Sequence, residues 1–268
     1  MCYDISLHVD VKETLKAFPG LVVKTDKLFD PASMIHMEGY VFPEYPIILH
    51  NPGEGLVLDT FEWGVLPTYI KNDPKKFAEM RSNMVNCRSE RIFEDKRSVW
   101  YRLRNNRCLI PVTATFDHRK IDKWKRKIPY LVRPKGRLPF YIPGLYQVAD
   151  MVDGDGVIYS SASFTLCTRS ANQVMRLIHN DGNNKWRMPL FVTKEMADAW
   201  VSPDLTESAI QEIINYEMPD DDLEYYTVYT IRGGKLRPDG KDKDELWQWP
   251  GLPPLGNDDP GTAKQILE

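Results

Sequence analysis

The sequence predicts a strand-rich α+β fold in one domain. Short segments of alternating or β-branched apolar residues recur from residue 2 to residue 168, a pattern typical of strands. Short helical patterns lie between them and dominate residues 171–214. The 268 residues are within reach of one domain, and no linker divides the chain before residue 235.

The first part of the chain predicts an N-terminal strand, a helix and a hairpin. Tyr3, Ile5 and Leu7 alternate with other residues, so we expect a strand that fixes this terminus in a sheet. The turn Asn51-Pro52-Gly53 separates two further strands. The predicted elements are a strand at 2–9, a helix at 11–18, strands at 45–50 and 55–63, helices at 74–80 and 99–105, and one buried strand at 108–116.

The second part predicts a meander followed by helices, with a Gly- and Asp-rich loop at 150–156. After residue 235 the Pro, Gly and Asp content rises and the periodicity ends. We therefore expect a domain over residues 1–235 and an irregular or mobile tail over residues 236–268. The predicted elements are strands at 130–133, 140–147, 157–159 and 163–168, helices at 171–179, 194–200 and 205–214, and a strand at 225–231.

The composition is that of an ordinary soluble protein, with 42% hydrophobic residues and a mean hydropathy of −0.44. No apolar run approaches the ~20 residues that cross a bilayer, and the start of the chain has no signal-peptide pattern. We expect a cytoplasmic protein without membrane association. The cysteines show no CxxC spacing and no histidine at metal spacing, so we expect no metal, no cofactor and no disulfide.

The net charge of −3 is unevenly distributed. Residues 119–137 are strongly basic, and Asp122 is their only acid. Residues 204–224 contain eight acids and neither Lys nor Arg. This separation is consistent with one face that binds a polyanion, and equally with two solvated faces of opposite sign.

Met1-Cys2 is the most informative short segment. Removal of Met1 would leave an α-amine and a thiol on Cys2. An α-amine titrates near ~7.7–8.0, so part of it is neutral at physiological pH and can attack an aldehyde. The thiol can then close a five-membered thiazolidine ring. Alternatively, an activated thiol attacks an acyl carbon, or Cys2 simply lies in a frayed terminus.

Several segments resemble, in order, the SRAP family, the SOS-response-associated peptidase domain that crosslinks abasic sites in DNA. The resemblance implies a barrel-like curled sheet with peripheral helices. It also implies a monomer that recognises abasic sites in single-stranded DNA, associates with the nucleoid through DNA, and captures the site covalently through Cys2. The matching segments are 1–2 (MC), 63–67 (WGVLP), 86–90 (NCRSE), 107–111 (RCLIP), 144–146 (GLY), 164–168 (FTLCT), 178–179 (IH) and 187–189 (RMP).

The resemblance further implies a catalytic set of Cys2, Asn86, Asp117 and His179. The Asn86 amide would position the sugar or the amine, and His179, with a reference pKa near ~6.5, would move protons. The family usually carries glutamate where this chain has Asp117, which is one methylene shorter. Proton transfer needs heavy atoms within about 2.6–3.2 Å. We therefore expect the shorter arm to weaken proteolytic, lyase or reversal steps more than crosslinking.

A second predicted set contacts DNA. Arg88, Lys125 and Arg126 would track the phosphates, which makes affinity fall with salt. Trp63 would stack on a base, and Arg187 would bind the strand. Other roles stay open for three of them: Trp63 in the core, Arg88 in an ion pair with a nearby glutamate, and Arg187 in a packed strand.

Two other functions fit nearly the same residues. In an N-terminal-nucleophile autopeptidase or amidohydrolase, the Cys2 thiol attacks an amide and the α-amine acts as the base. The third hypothesis is a catalytically weak module that only binds single-stranded DNA, because Asp117 replaces the usual glutamate.

Overall fold

The computed structural model describes residues 2–10, 12–27, 29–68, 70, 74–136, 138–152, 156–233 and 236–257. Their strands form a closed barrel and a second sheet, with a few helices outside. The predicted strand-rich α+β class, with a barrel-like sheet and peripheral helices, is confirmed. No helix among these residues is long and apolar enough to span a bilayer. Met1, residues 153–155 of the predicted loop and residues 258–268 of the predicted tail lie outside the described residues.

The elements are short, apart from the hairpin β10–β11. The strands are β1 (Asp4–Ser6), β2 (Val22–Val23), β3 (Met37–Glu38), β4 (Glu44–Asn51), β5 (Gly55–Trp63), β6 (Asn86–Arg88), β7 (Arg107–Val112), β8 (Ala114–Arg119), β9 (Ile128–Pro134), β10 (Phe140–Val152), β11 (Ile158–Ser170), β12 (Arg187–Pro189) and β13 (Leu223–Thr227). The α-helices are α1 (Lys12–Ala17), α2 (Pro74–Ser82), α3 (Arg91–Glu94), α4 (Val99–Leu103), α5 (Gln173–Ile178), α6 (Lys194–Trp200) and α7 (Glu207–Asn215).

The barrel consists of β4, β5, β7, β10 and β11. Antiparallel pairings join β5 to β4, β4 to β7, β7 to β10 and β10 to β11. A parallel pairing of β11 with β5, in which Phe164 faces Trp63, closes the ring. At Gly144 a Cβ atom would lie 2.4 Å from Cδ1 of Ile110 and 2.6 Å from the Thr165 carbonyl oxygen, so only glycine lets the strands approach this closely.

The second sheet has the order β13-β9-β8-β1-β3 and places the start of the chain in its interior. Strand β1 pairs with β8 on one side and β3 on the other, with Asp4 opposite both Phe116 and Glu38. The strand predicted at residues 2–9 is thus confirmed, although its ladder is only three residues long. Because both edges of β1 are hydrogen-bonded, Cys2 is held at the end of a central strand.

The main core lies between the two sheets. Ile5 and Leu7 of the N-terminal segment pack in one cluster with Tyr45, Ile110 and Phe164 of the barrel. A second cluster covers the other side of the barrel and includes residues of α6 and α7. Burying each large aliphatic or aromatic side chain stabilises the fold by roughly 1.5–3 kcal/mol.

Two strand predictions were wrong, and both errors concern connectivity. The single strand predicted at residues 108–116 is two strands, because Thr113 leaves the ladder between β7 and β8. Its N–H donates to the Ser6 carbonyl (2.7 Å), and its Oγ1 accepts from the His8 N–H (3.0 Å). Conversely, the strands predicted at 157–159 and 163–168 are one strand, β11. Strands β2, β3, β6 and β12 have two or three residues each and show no alternation that the sequence could reveal.

Candidate functional site

Cys2 lies in the main core, and its side chain is only 1% exposed. Its Sγ is 3.7 Å from the carbonyl oxygen of Asp4. Burial raises the pKa of the Cys2 thiol far above its usual value, and the negative charges of Asp117 and Asp4 raise it further. The thiol is therefore held in its neutral form beside two carboxylates.

Asp117 lies on β8, and the pairing of β8 with β1 brings it close to Cys2. Asp4 pairs with Phe116, so the continued antiparallel register sets Asp117 opposite Tyr3, next to Cys2. The Asp117 carboxylate is buried, and its Oδ1 accepts a hydrogen bond from the backbone N–H of His118 (3.2 Å). The same Oδ1 is 3.8 Å from Nε2 of His179, longer than a hydrogen bond.

His179 caps the C-terminal end of α5 and is fixed by residues 186–187. Its backbone N–H donates to Met175 (2.7 Å), and its carbonyl accepts from Trp186 (2.8 Å). Its Nδ1 is 2.9 Å from the carbonyl oxygen of Arg187, whereas the Arg187 N–H is farther away, at 3.4 Å. The shorter contact requires a proton on Nδ1, so in the neutral ring Nε2 carries the lone pair and faces Asp117.

Burial lowers the pKa of His179 below its usual value, although Asp117 acts in the opposite direction. The imidazole is consequently neutral near pH 7 and able to accept a proton. A neutral histidine, a carboxylate 3.8 Å away and a protonated thiol provide a base, a counter-charge and a nucleophile precursor.

Asn86 opens β6, which pairs in parallel with β11. Asn86 lies opposite Leu166 of the main core, whereas Cys87 and Cys167 pack in the second cluster. Since side chains alternate along a strand, Asn86 points toward the cluster that contains Cys2. Its amide is buried, and neither its N nor its O has a hydrogen-bond partner among the described residues. An unpaired buried polar group costs about 1–3 kcal/mol, so this amide is suited to a ligand.

Two arginines that were predicted to contact DNA lie near this site, and they differ in exposure. Arg88 is exposed and donates to Oδ1 of Asn184 (3.0 Å). Arg187 is buried; it forms a bidentate pair with Glu90 and donates to the Thr168 carbonyl (2.8 Å). Burial alone would raise the pKa of Glu90, but the hydrogen bonds from Arg187 outweigh it and lower the pKa. The Arg187 guanidinium is thus bound to groups of the protein itself. Its position fits the alternative that Arg187 lies in a packed strand.

Trp63 is fully buried where β5 and β11 close the barrel. Its Nε1–H donates to the Val85 carbonyl (2.8 Å), and its ring stacks on Phe164 with centroids 6.0 Å apart. No face of the ring is available to a base, so this placement speaks against the predicted stacking role. Lys125 and Arg126, in contrast, are exposed in the connection between β8 and β9.

Sequence reasoning missed a second carboxylate–histidine pair beside Cys2. The buried Asp4 accepts from Nε2 of His36 (2.8 Å) and from Nε and Nη2 of Arg232 (2.9 and 2.7 Å). Burial alone would raise the pKa of Asp4, but these hydrogen bonds outweigh it and hold the pKa below its usual value. No motif connects the three residues, and only the alternation in residues 2–9 pointed to a structured terminus.

One His/Asp group among the described residues has the spacing of a metal site: His8, Asp242 and Asp244, whose ligand atoms lie within 4.8 Å of one another. Nδ1 of His8 is 2.9 Å from Oδ2 of Asp244, so the ring is already engaged in a hydrogen bond. Asp242 is exposed.

Fold and site together define a strand-rich α+β protein with a buried cysteine beside a carboxylate–histidine pair. The model of the family described as SOS response associated peptidase (SRAP) matches residues 1–231. The chain therefore belongs to the SRAP family, which confirms the resemblance and assigns the protein to a family associated with the response to DNA damage. A comparison with curated proteins yields no match.

Solved structures share the fold at low sequence identity. A protein from Bacteroides thetaiotaomicron has a TM-score of 0.71 and 23% identity, with 91% of this chain and 97% of that chain covered. A protein from Bordetella bronchiseptica has a TM-score of 0.65 and 18% identity, covering 85% and 100%. A phage-related protein from the same organism has a TM-score of 0.60 and 17% identity, covering 85% and 95%. At these identities the likeness shows the fold alone.

Proposed function

We propose that the protein captures abasic sites in single-stranded DNA as a covalent thiazolidine at Cys2, after removal of Met1. The observation that carries this proposal is the convergence of the Asp117–His179 pair on the residue whose α-amine and thiol would react. The Asn86 amide supports it, because it lies on the side of β6 that faces the main core and has no hydrogen-bond partner among the described residues.

In the proposed reaction, the neutral α-amine of Cys2 adds to the aldehyde carbon of the ring-opened sugar. The resulting carbinolamine loses water to give an imine. Sγ then bonds to the imine carbon, and the thiol proton ends on the nitrogen. His179, neutral near pH 7, carries protons in these steps. Asp117 stabilises the positive charge that develops on nitrogen. Asn86 holds a hydroxyl of the sugar or the amine.

The protonation state of the Cys2 thiol favours attack by the amine on the aldehyde over peptide hydrolysis. A cysteine peptidase needs a thiolate, which cationic neighbours or a helix N-terminus stabilise. Here burial and two carboxylates raise the pKa of the Cys2 thiol instead. Imine formation uses the amine first, so it needs no thiolate at the outset.

The decisive experiment incubates the mature protein with a single-stranded oligonucleotide that contains one abasic site. Intact mass must first show that the protein begins at Cys2. We expect an adduct that survives denaturing electrophoresis, and none with the undamaged oligonucleotide. A parallel incubation with peptides should give no cleavage. Protein that begins at Cys2 but forms no adduct, or active protein that retains Met1, would contradict the proposal.

A further inference from the structure

A basic pocket lies beside the candidate site, and its wall combines two parts of the chain. The SRAP match ends at residue 231, and part of the wall follows that point. The cavity has a volume of about 470 Å³, within the roughly 300–1,000 Å³ of ordinary ligand sites. The lining residues that matter for its chemistry are His118, Arg126, Lys127, Arg232 and Trp249.

The segment that contributes Trp249 has neither helix nor strand over residues 236–257, yet it is fixed to the second sheet. The N–H of Trp247 donates to the Thr227 carbonyl (2.8 Å), and the indole N–H of Trp249 donates to the Val228 carbonyl (3.0 Å). The fully buried Arg119 donates to the carbonyls of Pro253 (3.0 Å) and Pro254 (2.8 Å). Trp249 is consequently a fixed part of the wall.

The pocket is electrostatically suited to an anion. Among the described residues, its lining includes Arg126, Lys127 and Arg232 and no acidic residue. Lys127 pairs with Asp181 outside the lining (2.9 Å), and Arg232 pairs with Asp4. Arg126 has no acidic partner among the residues that the structure describes. A guanidinium without a partner on an exposed rim is available to a phosphate.

The pocket also offers an aromatic surface. Trp249 is partly exposed, and Tyr229 stacks behind it with an interplanar angle of 7° and a centroid separation of 5.9 Å. The guanidinium carbon of Arg126 is 5.6 Å from the centroid of the Trp249 ring. A flat ring beside an available cation matches the two halves of a nucleotide, because a base stacks on the ring while the cation binds the phosphate.

Two contacts connect the pocket to the candidate reactive centre. His118 lines the pocket and follows Asp117 on β8. Arg232 lines it as well and holds Asp4, two residues after Cys2. The pocket and the candidate reactive centre thus share strand β8 and the Arg232–Asp4 ion pair, and the charges of Asp4 and Asp117 act on His118.

We propose that the pocket binds a nucleotide of the single strand that flanks the reacting sugar, with its base on Trp249 and its phosphate at Arg126. The position of this nucleotide beside the lesion rests on the proposed function. The binding of undamaged single-stranded DNA by the pocket does not. The proposed site includes residues that the SRAP model does not match, since Arg232 and Trp249 both lie beyond residue 231.

The first test measures binding of an undamaged single-stranded oligonucleotide by fluorescence anisotropy. Trp249→Phe and Trp249→Leu both lose the hydrogen bond to Val228, but only the first keeps an aromatic ring. We expect Trp249→Leu to bind about 5- to 150-fold more weakly than Trp249→Phe, the range for loss of one stacked base. Equal affinities for the two variants would overturn the proposal.

A second pair of variants tests the phosphate contact by its dependence on salt. Arg126→Gln should reduce the slope of log affinity against log salt by about 0.7, the value for one phosphate of a single strand. Arg97→Gln is the matched control, because the side chain of Arg97 is 95% exposed in a different part of the chain. Equal slopes for these two variants would contradict the assignment of Arg126.

Adduct assays on the same proteins separate failure of this inference from failure of the proposed function. If the wild-type protein forms the adduct while all four variants bind DNA alike, the pocket proposal fails and the function stands. If binding depends on Trp249 and Arg126 but no adduct forms, the function fails and the pocket stands. Competition by a free deoxynucleoside monophosphate as strong as that by the oligonucleotide would assign the pocket to free nucleotides instead and overturn the proposal.

Discussion

Two carboxylate–histidine pairs approach Cys2, and they differ in how completely the carboxylate is satisfied. Asp4 accepts three hydrogen bonds of 2.7–2.9 Å from His36 and Arg232. Among the described residues, Asp117 accepts one hydrogen bond of 3.2 Å from the backbone N–H of His118, and its contact with His179 is 3.8 Å long. Both carboxylates raise the pKa of the Cys2 thiol.

The difference separates a structural pair from a candidate catalytic pair. A carboxylate held by a guanidinium and an imidazole is a fixed charge, and moving it breaks several charge-assisted hydrogen bonds. A carboxylate and an imidazole that are not hydrogen-bonded to each other can adjust to a substrate, and such contacts often tighten only when the substrate is bound. The Asp4 pair therefore anchors β1, whereas the 3.8 Å contact between Asp117 and His179 can tighten when a substrate binds.

The largest expected effect is the loss of the stable DNA adduct in Cys2→Ala. This variant tests whether Cys2 reacts at all, and the comparison of the two pairs assumes that it does. In Cys2→Ala the α-amine stays, but the thiol that closes the ring is lost. We expect no adduct that survives denaturation, although borohydride should still trap the imine. A stable adduct in Cys2→Ala, formed without borohydride, would show that the thiazolidine is not the product.

The next effect concerns the Asp117 pair. Asp117→Ala removes the charge that stabilises the cationic nitrogen and faces the proton-carrying His179, so it should slow adduct formation by up to the ~10²–10⁴-fold that general acid–base help is worth. Asp117→Glu restores the longer arm and should speed adduct formation or reversal. Quenched time courses with the abasic oligonucleotide measure both rates. Equal rates for Asp, Glu and Ala would remove the carboxylate from the chemistry.

We expect a substitution of Asp4 to lower the free energy of unfolding more than the same substitution of Asp117 does. Breaking a fully buried ion pair costs roughly 3–5 kcal/mol, and Arg232 is partly exposed, so we expect Asp4→Asn to lower the free energy of unfolding by about 2–3 kcal/mol. Asp117→Asn keeps an oxygen that can accept from the His118 N–H and loses only the charge, which is not part of a short ion pair, so we expect less than about 1 kcal/mol. Urea unfolding compares the two variants. Equal losses would contradict the division into a structural and a catalytic pair.

The smallest effect is the pH dependence of stability. Burial lowers the pKa of His179, so below about 6.5 the unfolded chain binds more protons than the folded one. Stability should thus fall as the pH drops from about 6.5 toward the folded pKa, by at most about 1.4 kcal/mol per pH unit. Asp4, with its lowered pKa, stabilises above about 3.9, and this contribution is lost as the pH falls through its folded value.

Unfolding measured from pH 7 to pH 5 should therefore show a smaller slope in His179→Asn than in the wild-type protein. His118→Asn is the comparison variant, because burial also lowers the pKa of His118 and its loss should reduce the slope as well. An unchanged slope in His179→Asn would mean that the ring is not held neutral by the fold.

The sequence predicted most elements of this protein because their patterns are local. Alternation identified β5 at its observed bounds and the helical period identified α6 in the same way. The family resemblance identified Asp117 and His179, which the fold brings to 3.8 Å. Their catalytic roles stay predictions, as does the domain boundary at residue 235.

Tertiary structure alone decided where the chain changes sheets and which charges meet. The apolar run at 108–116 shows that its residues are buried, but periodicity does not say which strand pairs with each half, so the break at Thr113 was invisible. The sequence left Trp63 open between stacking on a base and packing in the core, and the β5–β11 pairing encloses it in the core. Asp4 and Arg232 are 228 positions apart, and their ion pair exists because sheet pairing and packing bring together residues that no local pattern relates.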